Sequence, residues 1–259
     1  MTVAAQDVAA INFIAASRPL KEALKSANLL KSLPLNTLIM GQPGTGRHSL
    51  AAFIMPDAPI IHGDDQALEQ AIQSYDQLIV DDFDKISNIP KLIQLLKKNG
   101  TKVIAIADNL SNFEQIRVSF GVHIELPPLK ERSEDIEPLA NKFFDEAATL
   151  FGEIPRENFK IDMDCLDLSM NAFSLRKSVF LHYLSAKIDE QELMSLVETY
   201  LLRQVKDHGD LYRQNLSLYE VPLIRAGAKH YKSQLKMSQA FGLNRNTLRK
   251  KINEWKDYL

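Results

Sequence analysis

The sequence predicts an α/β protein, a doubly wound parallel sheet followed by a small, all-helical C-terminal module. Three observations carry this expectation. Short apolar runs alternate with helical apolar stripes over the first half of the chain. A glycine-rich turn follows the first of those runs directly, and the last ~40 residues change to short helical patterns with a strongly positive charge. At 259 residues the chain is long enough for one large domain and one small one. Its 45% hydrophobic and 25% charged content is that of an ordinary globular protein. No apolar run approaches the ~18 residues of a membrane span, and the N-terminus lacks a basic-then-apolar leader, so no membrane partner is expected. The single cysteine, Cys165, has no internal disulfide partner, which leads to an expected reducing, cytoplasmic setting. The six histidines are scattered and show no metal-ligand spacing, so no metal site is expected from them.

Residues 17–31 read as a helix capped by Ser17, with Leu20, Ala23, Leu24, Ala27 and Leu30 on one apolar stripe. A strand over 37–40 runs straight into Gly41-Gln42-Pro43-Gly44-Thr45-Gly46-Arg47-His48-Ser49. A strand, a glycine-rich turn and a helix start together make a phosphate cradle, because backbone amides then face one concavity. Gly41, Gly44, Thr45, Gly46, Arg47, His48 and Ser49 are therefore candidate phosphate contacts; the alternative is a loop whose glycines only permit a tight turn. A helical stretch over 67–75 precedes a buried strand over 78–82, which ends in Asp81 and Asp82 as a magnesium-handling strand should. Without magnesium, Asp81 is a satisfied carboxylate at a strand end. A third strand over 103–107 ends at Asp108-Asn109. The alternation predicts a parallel sheet with its ligand crevice at the strands' carboxyl ends.

Ser133 is read as the cap of a further helix, with Glu134 and Asp135 in its first turn and Ile136, Leu139, Ala140, Phe143, Phe144 and Ala147 as its core stripe. Residues from about 161 to 205 read as more helices. Lys206-Asp207-His208-Gly209-Asp210 is polar and glycine-containing and is placed as a joint. The expected organisation is an α/β domain over 1–128, a helical lid over 129–205, a linker over 206–217 and a C-terminal module over 218–259.

The C-terminal module carries the most specific pattern. Residues 223–259 hold nine Lys or Arg against two acidic residues, a charge of +7 that leaves −9 on the rest of a chain whose total is −2. A basic appendage on an acidic body is the footprint of polyanion binding. Ser233 caps a short helix with Leu235, Ala240 and Phe241 on its apolar side, Gly242 suits a left-handed helix end, and Asn244 caps the next helix. Leu248, Ile252 and Trp255 form that helix's apolar stripe, while Arg245 and Arg249 lie one turn apart on another face. Two short helices about a glycine turn make a helix-turn-helix, and the alternatives for it are RNA binding or pure protein binding.

The run from Gly242 to Lys251 (Gly-Leu-Asn-Arg-Asn-Thr-Leu-Arg-Lys-Lys) resembles the recognition helix of the Fis family, found at the C-terminus of sigma-54-dependent regulators. Pro222-Leu223-Ile224-Arg225-Ala226 resembles the start of that family's dimerisation helix, although Lys232-Ser233 stands where the family has a longer turn. Earlier parts resemble the AAA+ module of the NtrC class: Phe13-Ile14 and Ser17 to Leu20 its opening, Gly41 to Arg47 its Walker A, Leu78 to Asp82 its Walker B, and Asn109 its sensor I. The closest run is Ile124-Glu125-Leu126-Pro127-Pro128-Leu129-Lys130-Glu131-Arg132-Ser133-Glu134-Asp135-Ile136, which introduces the lid; Arg176 stands at the sensor II arginine. The resemblance implies an AAA+-like fold binding ATP or ADP, with magnesium.

The chain departs from that class at several positions. Arg47 replaces the Walker lysine, His48 the usual hydroxyl residue (Ser49 is one place along), and Asp82 the Walker B glutamate, shorter by one methylene. A misplacement of about 1 Å costs a water-positioning group ~100-fold. The Gly-Ala-Phe-Thr-Gly-Ala loop that grips sigma-54 is absent, Arg117 fits an arginine finger poorly, and the chain begins at the AAA+ boundary, so no receiver domain is expected.

The expected function is DNA-binding transcriptional regulation without ATP-driven remodelling of sigma-54 polymerase. The alternatives are an ATP-hydrolysing sigma-54 activator and a nucleotide-sensing switch. Double-stranded DNA is the expected partner and a homodimer through the C-terminal helices the expected assembly; a contact with RNA polymerase is left open. Arg245, Asn246 and Arg249 are the candidates for base reading, and Asn244, Thr247, Lys250 and Lys251 are placed with them on the DNA, chiefly for cap and phosphate contacts.

Overall fold

A computed structural model of the chain describes residues 13–64, 66–108, 118–154, 163, 166–205 and 209–259. The expectations placed on Asn109, Arg117, Cys165 and residues 206–208 lie outside these. The chain forms two compact units, Met1–Lys187 and Ile188–Leu259.

In the first unit the strands β1 (Thr37–Gly41), β2 (Ile60–His62), β3 (Gln77–Asp81), β4 (Lys102–Ala107) and β5 (Val122–Leu126) form one sheet in the order β2-β3-β4-β1-β5. Every pairing is parallel, as the alternation of strands and helices predicts. Because β1 lies between β4 and β5, the glycine-rich loop after it leaves from an interior strand at the sheet's carboxyl end, where open α/β sheets place their ligands.

The strands are apolar throughout because both faces are covered. Leu38, Leu78, Val80, Val103 and Ala105 point to the side packed by α3 (Leu68–Ser74) and α4 (Ile89–Asn99). Their neighbours Ile39, Ile79, Ile104 and Ile106 point to the side packed by α1 (Arg18–Leu30) and α2 (Arg47–Ile54). The period of two along each strand thus builds two cores from one set of residues. Ser17 precedes α1 as expected, but its hydroxyl makes no cap; it donates to Asp135 Oδ2 at 2.6 Å.

In the same unit α5 (Ile136–Phe151) packs against α6 (Ala172–Ser185), the pair that falls within the stretch read from sequence as a lid. Its core holds Ala140, Phe143, Phe144 and Ala147, the stripe read from sequence, together with Leu175, Val179 and Tyr183. Ser133 is not the cap of α5. Residues Ser133–Asp135 form a separate 3-10 turn, and Asp135 sits at the helix start, fully buried.

The second unit contains α7 (Glu190–Leu202), α8 (Leu211–Asn215), α9 (Ser217–His230), α10 (Gln234–Ala240) and α11 (Arg245–Glu254). By contacts α7 belongs with this unit, whereas the sequence reading groups its residues with the lid. A capping box of Asp189 and Glu192 starts α7. Helix α9 begins five residues before Pro222, which lies inside it rather than at its start. Its Gly227 faces α10: a Cβ there would lie 2.4 Å from Phe241 Cζ and 2.8 Å from the Met237 sulfur.

Candidate functional site

The glycine-rich loop takes the conformations that its glycines allow. Gly44 and Gly46 have φ of +79° and +105°, in the left-handed region where a side chain is strained. The loop closes on itself, since the Thr45 amide and hydroxyl both donate to the Gln42 carbonyl, at 3.2 and 2.8 Å. The next three carbonyls are held from outside the loop. Asn171 Nδ2 donates to Pro43 O at 2.9 Å, the Ala172 amide to Gly44 O at 3.0 Å, and Arg132 Nη2 to Thr45 O at 2.7 Å. Gly46 stands at the N-cap position of α2 and, having no side chain, supplies no cap to the first-turn amides. This matches a phosphate-facing helix start.

The side chains that follow the loop are turned inward. Arg47, expected to reach terminal phosphates, is buried and pairs with Asp108 at the end of β4, Nη1 to Oδ1 2.5 Å. His48 Nε2 lies 2.7 Å from Asp81 Oδ2 at the end of β3. Burial works to raise the Asp81 carboxyl, but the His48 hydrogen bond and charge, the Asp82 backbone bond and the nearby His62 hold it below the usual carboxylate range. Asp82 adopts a left-handed φ of +52° and accepts from Lys85 Nζ at 2.9 Å. His62, which no reading of the sequence singled out, lies 3.7 Å from Asp81 and 3.6 Å from Asp82 through Nδ1. Its signal is visible only after pairing, because the β2–β3 register sets His62 directly beside Asp81.

Gly44, Thr45, Gly46, Arg47, His48, Ser49 and Arg176 line one cavity of about 240 Å³. Phe13, Ile14, Leu139, Phe143 and Phe173 give it a largely apolar wall. Arg176 reaches it while bound in two places to Glu146, Nε to Oε2 2.9 Å and Nη2 to Oε1 2.5 Å, and stacked over Phe180. Gly41 and Asp108 instead line a neighbouring cavity along the sheet edge. An apolar wall beside a glycine loop and a helix start fits a nucleotide. Magnesium fits poorly. It takes oxygen ligands, yet an imidazole stands at the hydroxyl's place and already engages the Asp81 oxygen.

The second candidate surface is α11. Asn244 caps it, its side chain accepting from the Asn246 amide at 2.9 Å, and Gly242 ends the preceding segment at φ +63°. Leu248 is fully buried and anchors the helix. Arg245, Asn246, Thr247, Arg249 and Lys250 are exposed, and among the described residues no carboxylate pairs with Arg245, Arg249 or Lys250. Lys251 departs from expectation: it is half-buried and ion-paired with Glu220 of α9, which also accepts from Trp255 Nε1 at 2.8 Å. The sequence reading missed this because a lysine beside the basic run looks like its neighbours until the helix turns it inward.

No protein-family model and no curated protein sequence matches the chain. Solved structures do. NtrX from Brucella abortus in complex with ATP is 17% identical, with a TM-score of 0.55 over 94% of this chain and 69% of that one. Its complex with ADP gives 16% identity and a TM-score of 0.55 over 94% and 70%. A further structure of the same protein gives 16% and 0.53 over 93% and 68%. The likeness is one of fold, a parallel α/β sheet with helices on both faces.

Proposed function

We propose that the chain is a DNA-binding transcriptional regulator that acts without ATP-driven remodelling of sigma-54 polymerase. The observation that carries this reading is the face of α11. Arg245, Arg249 and Lys250 stand exposed around Asn246 and Thr247, with no carboxylate partner among the described residues, on a helix capped by Asn244 and pinned by Leu248. Cations left free of carboxylates are available to phosphates and guanine edges, and asparagine suits adenine. A homodimer through the C-terminal helices would set two such helices about 34 Å apart on a partly palindromic site.

The test is selection of bound genomic fragments, followed by affinity measurement on the best site. Arg245→Ala is expected to weaken that site by about 1–3 kcal/mol, roughly 5- to 150-fold, and to relax its sequence preference. Lys250→Ala should weaken all sequences alike and lower the salt slope by about one. A protein that ignores duplex DNA at low salt sinks the reading. A nucleotide-sensing version is favoured by one further observation, the apolar cavity against the glycine loop, and is tested by thermal shift with ATP and ADP.

A further inference from the structure

We propose that His48, His62, Asp81 and Asp82 form a binding site for a divalent transition metal of the zinc class at the mouth of the glycine loop. Three elements deliver the four side chains: the first turn of α2, the last residue of β2, and the end of β3 with the residue after it. The His62, Asp81 and Asp82 ligand atoms all lie within 4.8 Å of one another, and the His62 separations from the two carboxylates are 3.7 and 3.6 Å. A tetrahedral ion with bonds of about 2.0–2.1 Å sets its ligands about 3.3 Å apart, so His62 comes within reach of both carboxylates by a shift of a few tenths of an ångström. His48 stands outside that group though 2.7 Å from Asp81, and its ring would turn away from this hydrogen bond toward the ion to become the fourth ligand. The ion would also displace Lys85 from Asp82.

The backbone builds this arrangement. Strand register sets His62 beside Asp81, and the Gly63 amide donates to Asp81 O at 2.7 Å. Gly63 lies so close to the turn after β3 that a Cβ there would sit 2.5 Å from Asp82 O. The left-handed φ of Asp82 completes the approach. His48 and His62 are about half or more exposed, so an ion can enter from solvent. Two imidazoles with two carboxylates select zinc, cobalt or nickel over magnesium, which prefers oxygen alone.

Calorimetry of the full chain, first stripped with a chelator, tests the site with zinc chloride alone. One zinc ion per chain is expected, and millimolar magnesium should not compete. His62→Ala and Asp82→Asn should each weaken zinc about 10- to 100-fold, while His230→Ala should leave it unchanged. Cobalt should give the strong visible bands of a tetrahedral site, lost in the His48→Ala, His62→Ala double variant. Circular dichroism checks that the variants stay folded, and His62→Gln repeats the test with little change in bulk. Zinc binding that survives the double variant, that magnesium displaces at equal concentration, or that depends on His230 overturns the proposal.

Discussion

At the scale of single residues, one buried and one partly buried carboxylate, Asp135 and Glu220, explain more of the fold than the residues singled out for chemistry. Asp135 is fully buried and, together with Arg132, ties the segment before α1 to the glycine loop and the end of β5. Its Oδ1 accepts from the amides of Ala16 and Ser17 at 2.7 and 2.8 Å, and its Oδ2 pairs with Arg132 Nη1 at 3.3 Å. Arg132 in turn holds the glycine loop through Thr45 O and the end of β5 through Pro127 O. Removing one member of such a pair leaves the other charge buried alone. Asp135→Ala is therefore expected to destabilise the first unit by about 3–5 kcal/mol in chemical denaturation; a loss under 1 kcal/mol would show that water replaces the carboxylate. Glu220 plays the corresponding part in the second unit. Burial tends to raise its carboxyl, but the hydrogen bonds from Lys251 and Trp255 and the lysine's charge outweigh it and lower the folded value. A depressed carboxylate adds stability above its unfolded value, about 4.3, and that contribution is lost as the pH falls through the lower folded value. The gap in unfolding midpoint between the native chain and Glu220→Gln should thus be constant from pH 7 to about 5 and close below about 4. Trp255, the only tryptophan, reports it by fluorescence. A gap that persists at pH 3 would place the effect in packing rather than in charge.

At the scale of elements, legibility in the sequence tracks how much of an element's reason is local. The strands β1, β3 and β4 were readable because burial on both faces leaves unbroken apolar runs, and α5 because its stripe repeats at helical spacing. Strand β2 escaped notice. It is three residues long at the sheet's edge, and only its pairing with β3 makes it a strand. Helix α4 is absent from the sequence reading, although Asn88, capping through the Lys91 amide, and Gly100, at φ +69°, mark both its ends. Site residues divide the same way. The glycine loop announces itself along the chain, whereas the partners of Arg47 and His48 come from strand ends 61 and 33 positions away. Gly227 shows how a local rule misleads. On propensity alone it weakens α9 by about 0.5–1 kcal/mol relative to alanine. The structure gives the opposite expectation, because a methyl group there meets Phe241 and Met237 at the α9–α10 crossing. Gly227→Ala should therefore destabilise the second unit, by about 1–3 kcal/mol after the helix gain is included. A stabilised variant in thermal unfolding would mean that the crossing can open without cost.

At the scale of the whole molecule, the first unit sets a glycine loop and a helix start against an apolar cavity while pairing off the nearby charges that a nucleotide's terminal phosphate would need. The Arg47 guanidinium sits on Asp108, the His48 ring on Asp81, and Arg176 on Glu146. Each would have to leave a carboxylate before meeting a phosphate, and exchanging one anion for another gains little net energy. What remains available is the apolar wall of Phe13, Ile14, Leu139, Phe143 and Phe173 with the first-turn amides of α2, features that serve a base and the inner phosphates. ATP and ADP are accordingly expected to raise the unfolding temperature of the first unit equally, and a magnesium chelator should leave both shifts unchanged. Asp108→Ala, which releases Arg47, should separate them in favour of ATP. A larger shift with ATP in the native chain, dependent on magnesium, would mean that the internal pairs open on binding and that hydrolysis is within reach. No shift with either nucleotide would reduce the glycine loop to a tight turn that supports the lid, leaving the exposed cations of α11 to carry the function alone.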